Sequence, residues 1–161
     1  MVLCVPALRI VTVIAAMPRI KTNEKQIGRQ VSAKPNIFLS LDGLLSDDVP
    51  RNKPVGDVRP GAAAFTQRLS KYYNIYIYTS RTYDEFNVDR REKSKEELAA
   101  PVAQWCDANG IWYDGVWVGR GKPPAAYLFV GPRELTSPLN PTPDDFVELE
   151  TLINARCTKT V

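Results

Sequence analysis

The sequence predicts an α/β fold, a mostly parallel sheet with helices on both faces, preceded by an N-terminal extension. Three observations carry that prediction. Four short apolar runs, Ile37–Leu39, Ile75–Tyr78, Val116–Val118 and Tyr127–Val130, read as strands, and the first is continuously apolar, as a strand buried on both faces would be. Helical patterns stand between the first three runs and after the last. That alternation implies right-handed crossovers and parallel strands. The runs end in Ser40-Leu41-Asp42-Gly43, Thr79-Ser80-Arg81 and Gly131-Pro132, turn-forming and polar residues that a parallel sheet gathers at one edge, where ligands bind in such folds.

The elements follow in order. After Asp42-Gly43 comes a polar, Pro-containing stretch, Leu44 to Arg59, read as a short β flap or a loop. Pro60-Gly61 opens a helix, with Pro at its first position and Phe65, Leu69 and Tyr72 on one face. Asn74 ends it ahead of the second strand. Tyr83 to Lys93 is charged and reads as a solvated loop. Ser94 with Glu97 forms a capping box, and Leu98, Val102, Trp105 and Cys106 line the helix that follows. Pro101 falls within its early turns, and Asn109-Gly110 stops it. A Pro-rich loop precedes the last helix, where Thr142 is the cap, Pro143 the first residue, and Phe146, Leu149, Ile153 and Cys157 the core face.

At 161 residues the chain suits one domain, read as an extension over 1–35 and a domain over 36–161. Hydrophobic residues make up 44% and charged residues 24%, the balance of a soluble globular protein. A net charge of +3 is too small to argue for nucleic acid by itself. The chain has no histidine, which removes Ser-His-Asp and Cys-His catalysis. Its three cysteines, Cys4, Cys106 and Cys157, are odd in number and scattered, so a zinc site or disulfide framework is not expected and a reducing, intracellular compartment is.

The start of the chain carries Arg9, Arg19 and Lys21 before its first acid, Glu24. That pattern is compatible with a mitochondrial transit segment, and hence with a matrix location. The plainer expectation is an extension that adds an edge strand near Leu8–Ala15 or docks on a partner. The apolar stretch Ile10–Met17 is too short to span a bilayer.

From Asn36 to Arg133 the order of motifs resembles the haloacid dehalogenase (HAD) superfamily of phosphohydrolases, with its three-layer Rossmann-like fold. The matching segments are SLDGL, IYIYTSR, GKPPAAYLFV and GPRE. The stretch VRPGAAAFTQRLSKYYNIYIYTS is also similar to the small carboxyl-terminal-domain phosphatases and their mitochondrial translocase relative. WCDANGIWYDGVWVGRGKP looks more like small members without a cap domain. The resemblance implies an Asp that attacks phosphorus, a second Asp as acid and base, Thr or Ser and Lys holding phosphate, and Mg2+ held by acids.

Carried over position by position, the resemblance puts Ser40 at the nucleophile and Asp42 at the acid/base position. Thr79 or Ser80, with Lys122, matches the phosphate-binding positions, and Gly131 and Pro132 stand where the metal-binding acids belong. The nucleophile and the magnesium carboxylates are thus missing together. The favoured expectation is a catalytically degraded HAD-like protein acting as a binding or structural component among other protein subunits, with no cofactor. One alternative is an Mg2+-dependent phosphatase acting on a macromolecular or nucleic-acid phosphate through displaced acids, Asp47, Asp48 or Glu134. Another is a nucleic-acid-binding module using Arg81, Arg90, Arg91, Lys93, Arg120 and Lys122.

Overall fold

The structure is a computed structural model that describes residues 34–82, 93–119, 125, 128–132 and 137–158. The chain divides into two units between Gln30 and Val31, and every described residue belongs to the second. The expected edge strand near Leu8–Ala15 lies outside the described residues, as do most of the Tyr83–Lys93 loop, Lys122 and Glu134.

Four strands form one all-parallel sheet: β1 (Asn36–Ser40), β2 (Asn74–Tyr78), β3 (Gly115–Trp117) and β4 (Leu128–Val130). Their order is β3-β2-β1-β4, so β1 is central and the chain reverses direction across the sheet between β1 and β4. Three helices complete the fold: α1 (Ala62–Leu69), α2 (Lys95–Ala108) and α3 (Pro143–Thr158). The fold is α/β. No helix among the described residues is long and apolar enough to cross a membrane.

Register sorts the strand side chains onto two faces. Ile37 pairs with Ile75 and Leu128, and Leu39 with Ile77 and Val130. These residues pack with Phe65 and Leu69 of α1, Val102 and Cys106 of α2, and Phe146, Leu149 and Ile153 of α3 in one core. All three helices therefore contribute to the same face. Right-handed crossovers demand this for α1 and α2, because β1, β2 and β3 step in one direction. The other face carries a ladder of rings. Phe38 stacks on Tyr76 at 5.3 Å and meets Phe129 at 4.8 Å, while Tyr78 lies edge-on to Phe129 at 5.7 Å. On this face Phe38 is wholly buried, while Phe129 is 41% exposed.

The helix signals resolve unevenly. Ser94 and Glu97 form the expected capping box, and Asn109 and Gly110 end α2, Gly110 with a φ of 67°. Thr142 and Asp145 cap α3 reciprocally, the Thr142 N–H donating to Asp145 Oδ2 at 2.7 Å and the Asp145 N–H to Thr142 Oγ1 at 3.3 Å. The start of α1 differs from expectation. Pro60 is not its first residue. Gly61, at a φ of 91°, is the N-cap, and a Cβ there would stand 3.3 Å from the Cα of Pro143. Close approach to the start of α3 therefore sets this turn. Helix α1 also ends at Leu69, short of Tyr72, which is 61% exposed. Tyr73 takes the core position, and its hydroxyl donates to Asn154 Oδ1 at 2.8 Å.

The stretch after β1 holds no strand, only isolated bridges joining Ser46 to Asp42 and to Val58. Arg59 fixes it from the far end. Its guanidinium pairs with Asp47 and donates to the carbonyls of Asn140, at 3.1 Å, and Pro141, at 3.2 Å.

Candidate functional site

Parallel strands bring the ends of β1, β2 and β4 to one edge, beside the place where the strand order reverses. Asp42 stands two residues beyond β1, Thr79 and Arg81 follow β2, and Gly131-Pro132 follow β4. Asp42 is the centre of this cluster. Thr79, itself buried, donates its hydroxyl to Asp42 Oδ2 at 2.7 Å. Arg81 donates from Nε to Asp42 Oδ1 at 2.6 Å. Both carboxylate oxygens are thus engaged from β2.

A short 3₁₀ turn, Ser80–Thr82, aims Arg81 inward. Thr82 anchors that turn, donating to the carbonyls of Thr79 at 2.9 Å and Trp117 at 3.2 Å. The Arg81 backbone N–H adds a bond to Thr79 Oγ1 at 3.2 Å. Beyond Asp42, the guanidinium donates to the carbonyls of Val49, Arg51 and Lys53. Four of its five N–H donors are used in this way. The Arg81 side chain is 8% exposed and that of Asp42 18%, so the pair is largely withdrawn from solvent. A guanidinium keeps its charge at any accessible pH. Asp42 therefore has a permanent internal counter-ion.

The other assigned positions offer less. Ser40 turns its hydroxyl to the backbone carbonyl of Asp42, donating at 3.2 Å. Ser80 makes way for Thr79, whose side chain reaches Asp42. Gly131 is buried and has no ligating atom in its side chain. Pro132 packs on Gly43, which has a φ of 80°: a Cβ on Gly43 would stand 3.2 Å from the Pro132 ring and 2.6 Å from Leu139. The Gly43 carbonyl accepts from the Asn140 N–H at 2.9 Å, and Asn140 Oδ1 accepts from the Asp48 N–H at 3.0 Å. The edge near β4 is thus closed by packing and backbone bonds.

Of the displaced acids, Asp47 is held by Arg59. Asp48 is exposed beside Asn140, and Glu134 and Lys122 lie outside the described residues. Among the described residues no three His, Cys, Asp or Glu side chains gather as a metal would need. The described residues of this edge thus do not fit the Mg2+ that the resemblance implies. Asp42, at the acid/base position and the one assigned position with a carboxylate to offer a metal, is engaged on both oxygens by Thr79 and Arg81.

Arg81 is the residue that sequence reasoning misplaced. It counted there as a surface cation for nucleic acid, and it is instead an interior one. Its signal lay in spacing: a carboxylate withdrawn from solvent needs a cation, and Arg81 stands two residues past the Thr that reaches Asp42.

No protein-family model and no curated protein matches this chain. A solved structure of a conserved protein from Bacteroides thetaiotaomicron is similar in fold. Its TM-score is 0.51 at 16% identity, over 76% of this chain and 92% of that one.

Proposed function

We propose that this chain is a HAD-like protein that no longer transfers phosphoryl groups and serves as a binding or structural component in a protein assembly. One observation carries the proposal: the Arg81 guanidinium lies on Asp42 where the resemblance calls for a divalent cation and a phosphate. A carboxylate bound on both oxygens is a poor general base and a poor metal ligand. Serine at position 40 offers no carboxylate to form an aspartyl-phosphate, and its hydroxyl donates to the backbone carbonyl of Asp42, with no hydrogen bond to a side-chain base among the described residues. What remains is a strand-edge platform closed by its own side chains, suited to holding a shape for another molecule.

The test is a phosphatase assay with Mg2+ and p-nitrophenyl phosphate, run on the natural protein and on Asp42→Asn, with calorimetric titration of Mg2+ alongside. The expected result is no turnover above that of the variant and no Mg2+ binding heat. Mg2+-dependent turnover that disappears in Asp42→Asn would overturn the proposal and restore the displaced-acid phosphatase.

A further inference from the structure

Residues 47–57 form a strap with a narrow neck. At the neck the Asp47 N–H donates to the Asp57 carbonyl at 2.8 Å, and Arg59 clamps the Asp47 carboxylate. Gly56 lets the two limbs pass there, since a Cβ on it would stand 2.7 Å from the Asp47 carbonyl oxygen. Asn140 and Trp105 fix the same neck from outside: the Asp48 N–H donates to Asn140 Oδ1 at 3.0 Å, and Trp105 Nε1 of α2 donates to the Gly56 carbonyl at 3.1 Å. Between the limbs, residues 49–55 are held differently. Among the described residues, their one bond between backbone groups closes the tip, from the Lys53 N–H to the Pro50 carbonyl at 2.9 Å. Arg81 ties this part to the strand edge through the carbonyls of Val49, Arg51 and Lys53. None of residues 49–55 is buried; Pro50–Pro54 are exposed, and Val55 packs half-buried against the core.

We propose that residues 49–55 are a latched strap: they lift from the strand edge as a unit, pivoting at the fixed neck, while the sheet and the three helices stay folded, and Arg81 is the latch. A segment opens locally when it buries little apolar surface and takes few backbone bonds from the core, and this one meets both conditions. Lifting breaks the three bonds from Arg81 to the strap. It spares the pair between Arg81 and Asp42, because both residues belong to the strand ends. The guanidinium, 8% exposed when the strap is down, is therefore uncovered with its carboxylate still in place. The closed strand edge is thus a gated one. Arginine suits the latch because one planar group with several N–H donors reaches a carboxylate and three carbonyls together. The inference goes beyond the binding role proposed above and does not depend on it.

The experiment is digestion of the natively folded full chain with trypsin across a urea series, with initial cuts read by peptide mass spectrometry. The Arg51–Asn52 bond reports the strap, since the Lys53–Pro54 bond resists trypsin. Global stability is read in parallel by circular dichroism. Cutting of this kind follows the population of the open form. The cut after Arg51 should show a urea slope well below the global one, because lifting exposes little surface. Arg81→Ala should raise its rate about tenfold or more, and Arg81→Lys should raise it less, with circular dichroism establishing that each variant folds. Ile153→Val is the control, a core change toward the end of α3 where Asn154 meets Tyr73 ahead of β2, away from the strap. It should lower global stability and leave the cut after Arg51 unchanged. A cut that carries the global urea slope, or that rises with Ile153→Val in step with the global loss, would overturn the proposal by showing that the strap opens only with the core. A rate unchanged by Arg81→Ala would overturn it as well, since Arg81 would then hold nothing shut.

Discussion

Arg81 does locally what a bound cation would do: it neutralises Asp42 and gathers a loop around the charge. Its removal should therefore cost more than a surface ion pair. We predict that Arg81→Ala lowers stability by about 2–4 kcal/mol, because it leaves Asp42 part-buried with only the Thr79 hydroxyl and strips three flap carbonyls of their donor. Arg81→Lys should recover only part of this, since an ammonium is a point donor and cannot span Asp42 and the flap together. Urea melts of Arg81→Ala, Asp42→Asn and the double variant would check it through a coupling energy of about 1–3 kcal/mol. A coupling near zero would mean that the contact contributes nothing. The sequence made Asp42, Gly43 and Thr79 legible because strand ends and turn residues have local signatures. It hid the Arg81 contact, which depends on the path of a flap some 30 residues earlier in the chain.

Among the elements, the helices were most legible where a cap repeats a reciprocal pattern and least where tertiary packing sets the boundary. Ser94–Glu97 and Thr142–Asp145 are local bargains between one side chain and one turn. The start of α1 at Gly61 and the exchange of Tyr72 for Tyr73 answer instead to α3, a distant element. The caps also set a pH response. Backbone and side-chain hydrogen bonds from Ser94 hold the Glu97 carboxyl below its ordinary value, and Thr142 does the same for Asp145. A depressed pKa contributes stability that is present above the unfolded value and lost as pH falls through the folded one. We predict that Ser94→Ala costs about 1 kcal/mol at neutral pH. Only the part carried by the Ser94 hydroxyl should shrink as pH falls below the carboxylate range, because the larger cause, the residue-94 backbone N–H, stays in the variant, and thermal melts across an acid series would show it. A gap that stayed constant would place the cap energy outside the Glu97 charge.

At the scale of the molecule, the three helices converge on one core, and Cys106 is wholly buried within it between α2 and the strands. Burial pushes its thiol up to about 12, with Asp107 adding a smaller push in the same direction. The thiolate is the reactive form, so Cys106 is protected twice, by access and by protonation. The native state holds this proton across a range of pH where the unfolded chain releases it. Stability should therefore fall as pH rises from about 9 toward 12. A sharper consequence concerns cooperativity. If α1, α2 and α3 share a single core, no local opening exposes Cys106, and its alkylation should track global unfolding. We predict that the free energy from iodoacetamide labelling of Cys106, read by peptide mass spectrometry, equals that from circular dichroism and has the same denaturant slope. Labelling at a markedly lower free energy would show α2 leaving the sheet by itself.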